Sequence, residues 1–169
     1  MRLKFTLNNQ VLVLEADPSM RAIDLLRERC GLTGPKEGCG TGECGACAVW
    51  INGETRLSCL MLAAQLQGQS VVTIEGVNQE SPARMHLDQM HLDQLHPVQE
   101  AFVNCGAVQC GYCTPGMVMT AAQLLACEPA PSRERIREAL SGNLCRCTGY
   151  HKIVDAVEAA ARVMAGETP

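Results

Sequence analysis

Residues 38–47 of the chain read GCGTGECGAC, which places Cys39, Cys44 and Cys47 in one glycine-rich stretch. Cys59 follows a short distance along the sequence. A loop that wraps a negatively charged group must bring its backbone N–H groups close to that group, often with positive φ, and glycine permits both. The stretch therefore predicts a loop that presents thiolates to a metal centre, with backbone donors directed at the sulfur atoms.

The spacing of these four cysteines distinguishes between two kinds of metal centre. C-x4-C-x2-C with a distant fourth cysteine is typical of plant-type [2Fe-2S] centres. Zinc is the alternative, but zinc ribbons use paired C-x2-C knuckles, and only Cys44 and Cys47 have that spacing. We favour the cluster. Backbone donors near its sulfurs would stabilise the reduced, more negative state and so set its potential.

A second group of four cysteines lies in the C-terminal half, as Cys110 and Cys113 followed by Cys145 and Cys147. A C-x-C pair is unusual for tetrahedral zinc, whereas two irons bridged by sulfides accept it more readily. Predicted helices follow both pairs, so these cysteines should lie at helix N-termini, where free N–H groups favour thiolates. Taken alone, this second pattern is only moderately specific.

Composition limits the remaining classes of function. The net charge of −4 and the pI near 5.5 argue against nucleic acid as a partner. No stretch approaches the roughly 20 apolar residues of a membrane span, and the first residues contain neither a signal-peptide core nor a twin-arginine pair. These features predict a cytoplasmic protein. In a reducing compartment, eleven cysteines are better explained by metal ligation than by disulfides.

Periodicity around the cysteine loop predicts an α+β chain. Alternating residues and turn signals predict strands in the first part, and apolar spacing typical of helices dominates from residue 98 onward. The first part contains a hairpin over 3–15, a helix over 20–29 ended by Gly31, a loop over 33–47, a second hairpin over 48–58 and a short strand over 71–74. Four helices follow, near 98–105, from Thr114 as N-cap with Pro115 at its first position, from Ser132, and through 153–164. We therefore expect domains at 1–76 and 98–169, with residues 77–97 as connector.

The connector contains a tandem repeat, MHLDQ at 85–89 and again at 90–94. His86, His91 and His96 recur every five residues, a period that suits neither a helix nor a strand for a metal site on one face. We favour a solvated loop or frayed helix over a histidine metal site.

Three cysteines belong to neither group. Cys30, Cys105 and Cys127 fall on predicted helices or their ends. Free cysteine behaves as a small hydrophobic residue as often as a reactive one, so we expect each of them to pack in a core.

Three stretches together resemble the small iron–sulfur subunit of the molybdenum hydroxylases: GCGTGECGACAVWINGE (38–54), AVQCGYCTPGM (107–117) and GNLCRCTGYHKIV (142–154). This family includes xanthine dehydrogenase, aldehyde oxidoreductase, carbon monoxide dehydrogenase, quinoline and isoquinoline oxidoreductases and 4-hydroxybenzoyl-CoA reductase. The similarity covers about residues 3–163, and all eight cysteines match in order. The repeat at 85–94 is the main departure.

The resemblance implies a plant-type ferredoxin-like β-grasp domain followed by an all-α four-helix bundle domain, each with one [2Fe-2S] cluster. It implies a partly exposed distal cluster near the flavin, held by Cys39, Cys44, Cys47 and Cys59. It also implies a buried proximal cluster beside the molybdenum cofactor, held by Cys110, Cys113, Cys145 and Cys147. Gln109 and Cys147 would contact the pterin, although Gln109 could instead cap its own loop.

The same resemblance implies an electron-transfer subunit that relays single electrons between a molybdopterin centre and FAD. Those two cofactors would belong to a large and a medium partner subunit, in a heterotrimer or its dimer. The chain itself contains no recognisable substrate-converting site and no dinucleotide fingerprint. A free-standing two-cluster ferredoxin and a zinc-binding interaction module are the alternatives, and the substrate is not determined by this chain.

Overall fold

The computed structural model describes residues 1–79 and 95–167. The strands are β1 (Arg2–Leu7), β2 (Gln10–Glu15), β3 (Ala48–Ile51), β4 (Glu54–Leu57) and β5 (Ser70–Val72). The α-helices are α1 (Ala22–Asp24), α2 (Pro97–Asn104), α3 (Thr114–Cys127), α4 (Arg133–Ala139) and α5 (His151–Met164). Helix α1 continues as a π-helical turn at Leu25–Arg29, and 3-10 turns occur at Ser58–Leu60, Ala63–Leu66, Val77–Gln79 and Leu140–Gly142. The chain is therefore α+β.

The five strands form one mixed sheet in the order β2-β1-β5-β3-β4. Strands β1 and β5 are parallel, and the other neighbouring strands are antiparallel. Alternate residues of β1, such as Leu3 and Phe5, are buried against Leu25 and Leu26 of the turn after α1. The alternation that predicted this strand thus corresponds to one face buried under the N-terminal helical segment.

Strand β3 is buried at all four positions because both faces of the sheet are covered there. Val49 and Ile51 join the core under α1, whereas Trp50 joins the core built around helices α2 to α5. The Trp50 indole Nε1 donates a hydrogen bond to the carbonyl of Met119 on α3, at 2.9 Å. The sheet and the helices therefore share this strand as a common layer.

The C-terminal helices pack on one another through small and medium apolar residues. Helix α2 contacts α5 and α3, while α4 contacts α3 and α5. The largest buried side chains of this core include Phe102, Met117, Leu125, Ile136 and Ile153. This packing brings the loop before α3 and the loop before α5, which contain the second group of cysteines, to neighbouring positions.

Most predicted elements occur, with shifted boundaries. The last strand ends at Val72 rather than Ile74, because Thr73 leaves the sheet and donates its N–H to the Asn8 side chain. The predicted helix over 20–29 begins at Ala22 and changes to π-helical geometry at Leu25.

Thr114 is not the N-cap of its helix, contrary to the prediction. Cys113 occupies that position, and the N–H of Thr114 donates to the carbonyl of Gly111. The turn that presents the cysteines therefore runs directly into the helix. Ser132 does cap α4, where its hydroxyl accepts a hydrogen bond from the N–H of Arg135.

The remaining histidine and cysteine predictions have mixed outcomes. His96 is buried as the N-cap of α2, where its Nδ1 accepts the N–H of Val98, whereas His86, His91 and the repeat lie outside the described residues. Cys30 and Cys105 pack partly against the two cores. The prediction was wrong for Cys127, which is exposed because it ends α3 on the solvent side.

Candidate metal centres

The first group of cysteines lies between α1 and the β3–β4 hairpin. Cys47 and Cys59 are only 2% and 5% exposed, and they pack together with Ile23 of α1. Cys39 and Cys44 are partly exposed on the loop that precedes β3. One side of this group is therefore closed by the protein, and the other side faces the surface.

Backbone donors converge on this group as the glycine-rich loop predicts. The N–H groups of Thr41 and Glu43 donate to the Sγ of Cys39, at 3.4 and 3.3 Å. Gly38 leaves space for a sulfur, because a Cβ built at this position would lie 2.9 Å from the Sγ of Cys44. The loop is thus shaped around sulfur atoms and supplies them with hydrogen bonds.

The thiols of the first group have contrasting electrostatic environments. Hydrogen bonds from Thr41, together with backbone N–H donors, lower the pKa of Cys39 to about 6. Burial above all, together with the neighbouring thiols of Cys59 and Cys44, raises the pKa of Cys47 to about 12. The neighbouring thiol of Cys44 contributes to the pKa shift of Cys39, and that of Cys59 contributes to the pKa shift of Cys47. The four thiols therefore approach one another as two pairs.

The second group of cysteines is assembled from two loops. Cys110 and Cys113 precede α3, whereas Cys145 and Cys147 lie between α4 and α5. The thiols of Cys110 and Cys147 shift each other's pKa, and so do those of Cys113 and Cys145. Cys113 and Cys145 pack against the helical core, while the other two cysteines are exposed. This group also forms two pairs, each with one member from each loop.

Hydrogen bonds again reach sulfur in the second group. The N–H and hydroxyl of Thr148 donate to the Sγ of Cys145, at 3.4 and 3.1 Å. Burial by itself would raise the pKa of Cys145, but these bonds lower it overall, whereas burial raises the pKa of Cys113 to about 12. Cys113 is at a helix N-terminus as predicted. Cys147 is not, because the N-cap of α5 is Tyr150, which has a φ of +65°.

Each group of four cysteines supplies the ligand set of a binuclear cluster. In a [2Fe-2S] cluster four cysteine thiolates are divided between two irons, which is the division that the two thiol pairs of each group provide.

The two groups touch each other at a junction that the sequence interpretation missed. The N–H of Leu144 donates to the carbonyl of Cys44 at 2.9 Å, and the amide Nδ2 of buried Asn143 donates to the carbonyl of Gly45 at 3.2 Å. Gly116 completes the contact, because a Cβ there would lie 2.2 Å from the Gly45 oxygen. Asn143 stands in the GNLCRC stretch, yet nothing in its sequence neighbourhood indicates which carbonyl it meets.

Comparisons with known proteins agree with this geometry. A family model described as 2Fe-2S iron-sulfur cluster binding domain matches residues 15–100, and one described as [2Fe-2S] binding domain matches residues 73–158. The chain is 46% identical over 158 residues to the nicotinate dehydrogenase small FeS subunit of Eubacterium barkeri, covering 94% of this chain and 93% of that protein.

Solved structures show the same fold. Quinoline 2-oxidoreductase from Pseudomonas putida 86 matches with a TM-score of 0.86 and 44% identity, covering 99% of this chain and 98% of the matched chain. Aldehyde oxidoreductase from Desulfovibrio gigas matches with a TM-score of 0.88 and 38% identity, covering 100% of this chain but 18% of that longer chain.

Fold, thiol pairs and family matches define a two-cluster [2Fe-2S] protein of the ferredoxin-like class. More particularly, the chain belongs to the family of small iron–sulfur subunits of the molybdenum hydroxylases. The resemblance found in the sequence is thereby confirmed. The chain is the electron-transfer subunit of a multisubunit oxidoreductase, in a family whose molybdenum cofactor and FAD lie on partner subunits. No helix in the described part of the chain is long and apolar enough to cross a membrane.

Proposed function

We propose that the two groups of cysteines hold the two clusters of an electron relay. Cys39, Cys44, Cys47 and Cys59 would hold the distal cluster, and Cys110, Cys113, Cys145 and Cys147 the proximal one. Each cluster supplies a one-electron carrier when bound. The observation that carries this assignment is that N–H donors converge on the sulfurs of each group, at Cys39 and at Cys145. The thiols within each group also lie close enough to shift one another's pKa.

The thiol pairs also support an assignment of individual irons. In the first group one iron would be held by Cys39 and Cys44 and the other by Cys47 and Cys59. In the second group, Cys110 would share an iron with Cys147, and Cys113 would share one with Cys145. Each iron of the second group would then link the two loops that precede α3 and α5.

The exposure of the second group supports its position against the large molybdopterin-binding subunit. Cys110 and Cys147 are exposed, and so are the neighbouring apolar side chains of Tyr112 (47%) and Leu144 (54%). A partner must cover these groups to exclude water from a buried proximal cluster. Gln109, exposed beside Cys110, and Cys147 would then contact the pterin.

The first group would face the medium FAD-binding subunit. Next to Cys59, the side chains of Leu60 and Leu62 are exposed, which provides an apolar rim for a second partner. The large subunit would cover the second group of cysteines. The three subunits together would form a heterotrimer or a dimer of heterotrimers. The electron path would run from the molybdenum centre through the proximal and then the distal group to FAD.

We further propose a β-grasp domain at residues 1–76, a connector at 77–97 and a four-helix bundle domain at 98–169. Two observations support this division. The apolar core under α1 contains residues of the first part alone, and apart from Pro97 at the start of α2 every α-helix from α2 onward lies in the last part. None of the eleven cysteines forms a disulfide, which supports a cytoplasmic location.

The test is to isolate the chain from its native host together with whatever binds it, and to measure iron and mass. Two [2Fe-2S] clusters predict about four irons per chain, two distinct paramagnetic signals on reduction, and co-purification of two larger subunits. A monomer with both clusters would indicate the free-standing ferredoxin. A colourless protein containing zinc would contradict the cluster assignment altogether.

A further inference from the structure

The two groups of cysteines meet through the backbone as well as through side-chain packing. Cys44 belongs to the first group, and its carbonyl accepts the N–H of Leu144 at 2.9 Å. Leu144 is bonded covalently to Cys145 of the second group. A continuous series of covalent bonds, interrupted by a single hydrogen bond, therefore joins the sulfur of Cys44 to the sulfur of Cys145.

This connection favours electron transfer between the groups. Electron tunnelling decays less steeply through covalent and hydrogen bonds than across van der Waals gaps, so a path with one hydrogen bond is strongly preferred over paths through packed side chains. The electronic coupling along this path depends on the length and angle of the hydrogen bond, because a longer or misaligned hydrogen bond is weaker.

Asn143 lies directly beside that hydrogen bond. Its side chain is only 4% exposed, and its Nδ2 donates to the carbonyl of Gly45, the residue that follows Cys44. Gly45 has a φ of +70°, and a Cβ at this position would lie 2.5 Å from Asn143 Nδ2. From the other side, Gly116 approaches the same carbonyl so closely that no side chain fits between them. The Gly45 peptide is therefore held between a buried donor and helix α3.

We propose that Asn143 is a positioning residue for electron transfer between the two clusters, holding the Cys44 carbonyl against the Leu144 N–H. The inference rests on the proposed assignment of cysteine ligands. In the step concerned, one electron leaves the reduced centre on the Cys145 side, which is oxidised, and enters the oxidised centre on the Cys44 side, which is reduced. No bond forms or breaks, and no proton moves.

The test compares Asn143→Ala with a matched control, Gln123→Ala, in the assembled complex. Gln123 on α3 also joins the helices to the sheet, because its Oε1 accepts the N–H of Thr55 and its Nε2 donates to the carbonyl of Gly53. Both variants thus remove one amide that links the same two parts of the chain. Only Asn143→Ala removes a bond to the cysteine loops.

Two quantities are measured after iron content and both reduction potentials have been checked. The first is the rate of electron transfer between the clusters after rapid photoreduction, and the second is the splitting of the paramagnetic signals when both clusters are reduced. We expect Asn143→Ala to slow the transfer severalfold and to reduce the splitting at unchanged potentials. Gln123→Ala should leave both quantities as they are in the unaltered complex.

An unchanged rate and splitting in Asn143→Ala would overturn the inference, and so would an equal loss in Gln123→Ala. If Asn143→Ala loses a cluster, Asn143→Leu, which keeps the volume without the donor, is measured in the same way. In the unaltered complex the Leu144 amide must exchange slowly with deuterium, and rapid exchange also overturns the inference. Absence of four irons in the unaltered complex would instead contradict the proposed function.

Discussion

The two groups of cysteines differ in how much of their enclosure this chain provides. The first group has Cys47 and Cys59 buried against α1, so the chain itself excludes water from one half of it. The second group leaves Cys110 and Cys147, one from each loop, at the surface. This chain therefore encloses more of the first site than of the second, and the exposed half of the second site is open to a partner.

The groups also differ in the range of sequence that builds them. Three members of the first group lie on one loop between α1 and β3. The second group needs the loops before α3 and α5, which come together only when helices α2 to α5 have packed. The first site is therefore encoded locally, and the second depends on tertiary structure.

The largest effect is expected from removing a ligand of the second group. Cys147→Ala should abolish the proximal-cluster signal and block reduction of FAD by substrate, because Cys147 is paired with Cys110 and would also contact the pterin. The distal signal should persist, since no first-group thiol is changed. Paramagnetic resonance and anaerobic FAD reduction measure the two outcomes.

Cys127→Ala is the control for this change, because Cys127 is exposed and belongs to neither group. It should retain both signals and full FAD reduction. Persistence of the proximal signal in Cys147→Ala would contradict the ligand assignment, and persistence of FAD reduction would contradict the order of the relay.

A matched pair of core substitutions tests whether each site depends on its own core. Phe5 and Phe102 are both fully buried, the first beneath the sheet and the second among the helices. Replacing either with Ala should lower the free energy of unfolding by about 3–5 kcal/mol. Phe102→Ala should weaken retention of the proximal cluster, and Phe5→Ala that of the distal one.

Chemical denaturation and loss of each cluster's visible absorption, followed in the same titration, provide the measurement. Equal loss of both clusters in both variants would show that the two sites do not depend separately on their cores.

The connection between sheet and helices is tested by Trp50→Phe. This change removes the indole donor to the carbonyl of Met119, a hydrogen bond worth about 0.5–1.5 kcal/mol. Because β3 contributes to both cores, we expect the sheet and the helices to unfold in one transition at lower denaturant concentration. Two separate transitions in the unaltered chain would contradict this coupling.

The smallest effect is expected at the sulfur of Cys145. Thr148→Val removes the hydroxyl donor to this sulfur but keeps the shape of the side chain. Hydrogen bonds to sulfur stabilise the reduced cluster, so the proximal potential should fall by about 40 mV, the equivalent of a bond worth about 1 kcal/mol for one electron.

Thr120→Val on α3 is the control and should leave both potentials unchanged. Redox titration followed by paramagnetic resonance distinguishes the two clusters. A fall in the distal potential, or none in the proximal one, would contradict the role given to Thr148.

The sequence predicts those features that depend on neighbouring residues. The alternation of Leu3, Phe5 and Leu7 identifies β1, and the Asn52-Gly53 turn identifies the β3–β4 hairpin, because short-range backbone preferences determine both. The glycine-rich cysteine loop is recognisable for the same reason. The spacing of its cysteines indicates the type of cluster, and its glycines indicate that the backbone approaches the sulfur atoms closely.

Features that depend on distant parts of the chain could not be predicted. The partner of Asn143 is almost a hundred positions away in the sequence, at Gly45. Cys127 falls at the end of a predicted helix, yet the position it occupies at the end of α3 is left uncovered. Thr114 has the chemistry of an N-cap, but the cysteine turn fixes the start of the helix one residue earlier. In each case three-dimensional packing overrides the local preference.

Strand β3 has a consequence for recombining related subunits. Its alternate residues belong to two cores, and Trp50 is bonded to the helix that it faces. A hybrid could join the first 76 residues of this chain to the helices of a relative. Such a hybrid would replace one side of contacts whose two sides fit each other, including the close approach of Gly116 to the Gly45 carbonyl. The two parts are therefore not interchangeable modules, and any transplant must carry β3 together with the surface of α3 against which it packs.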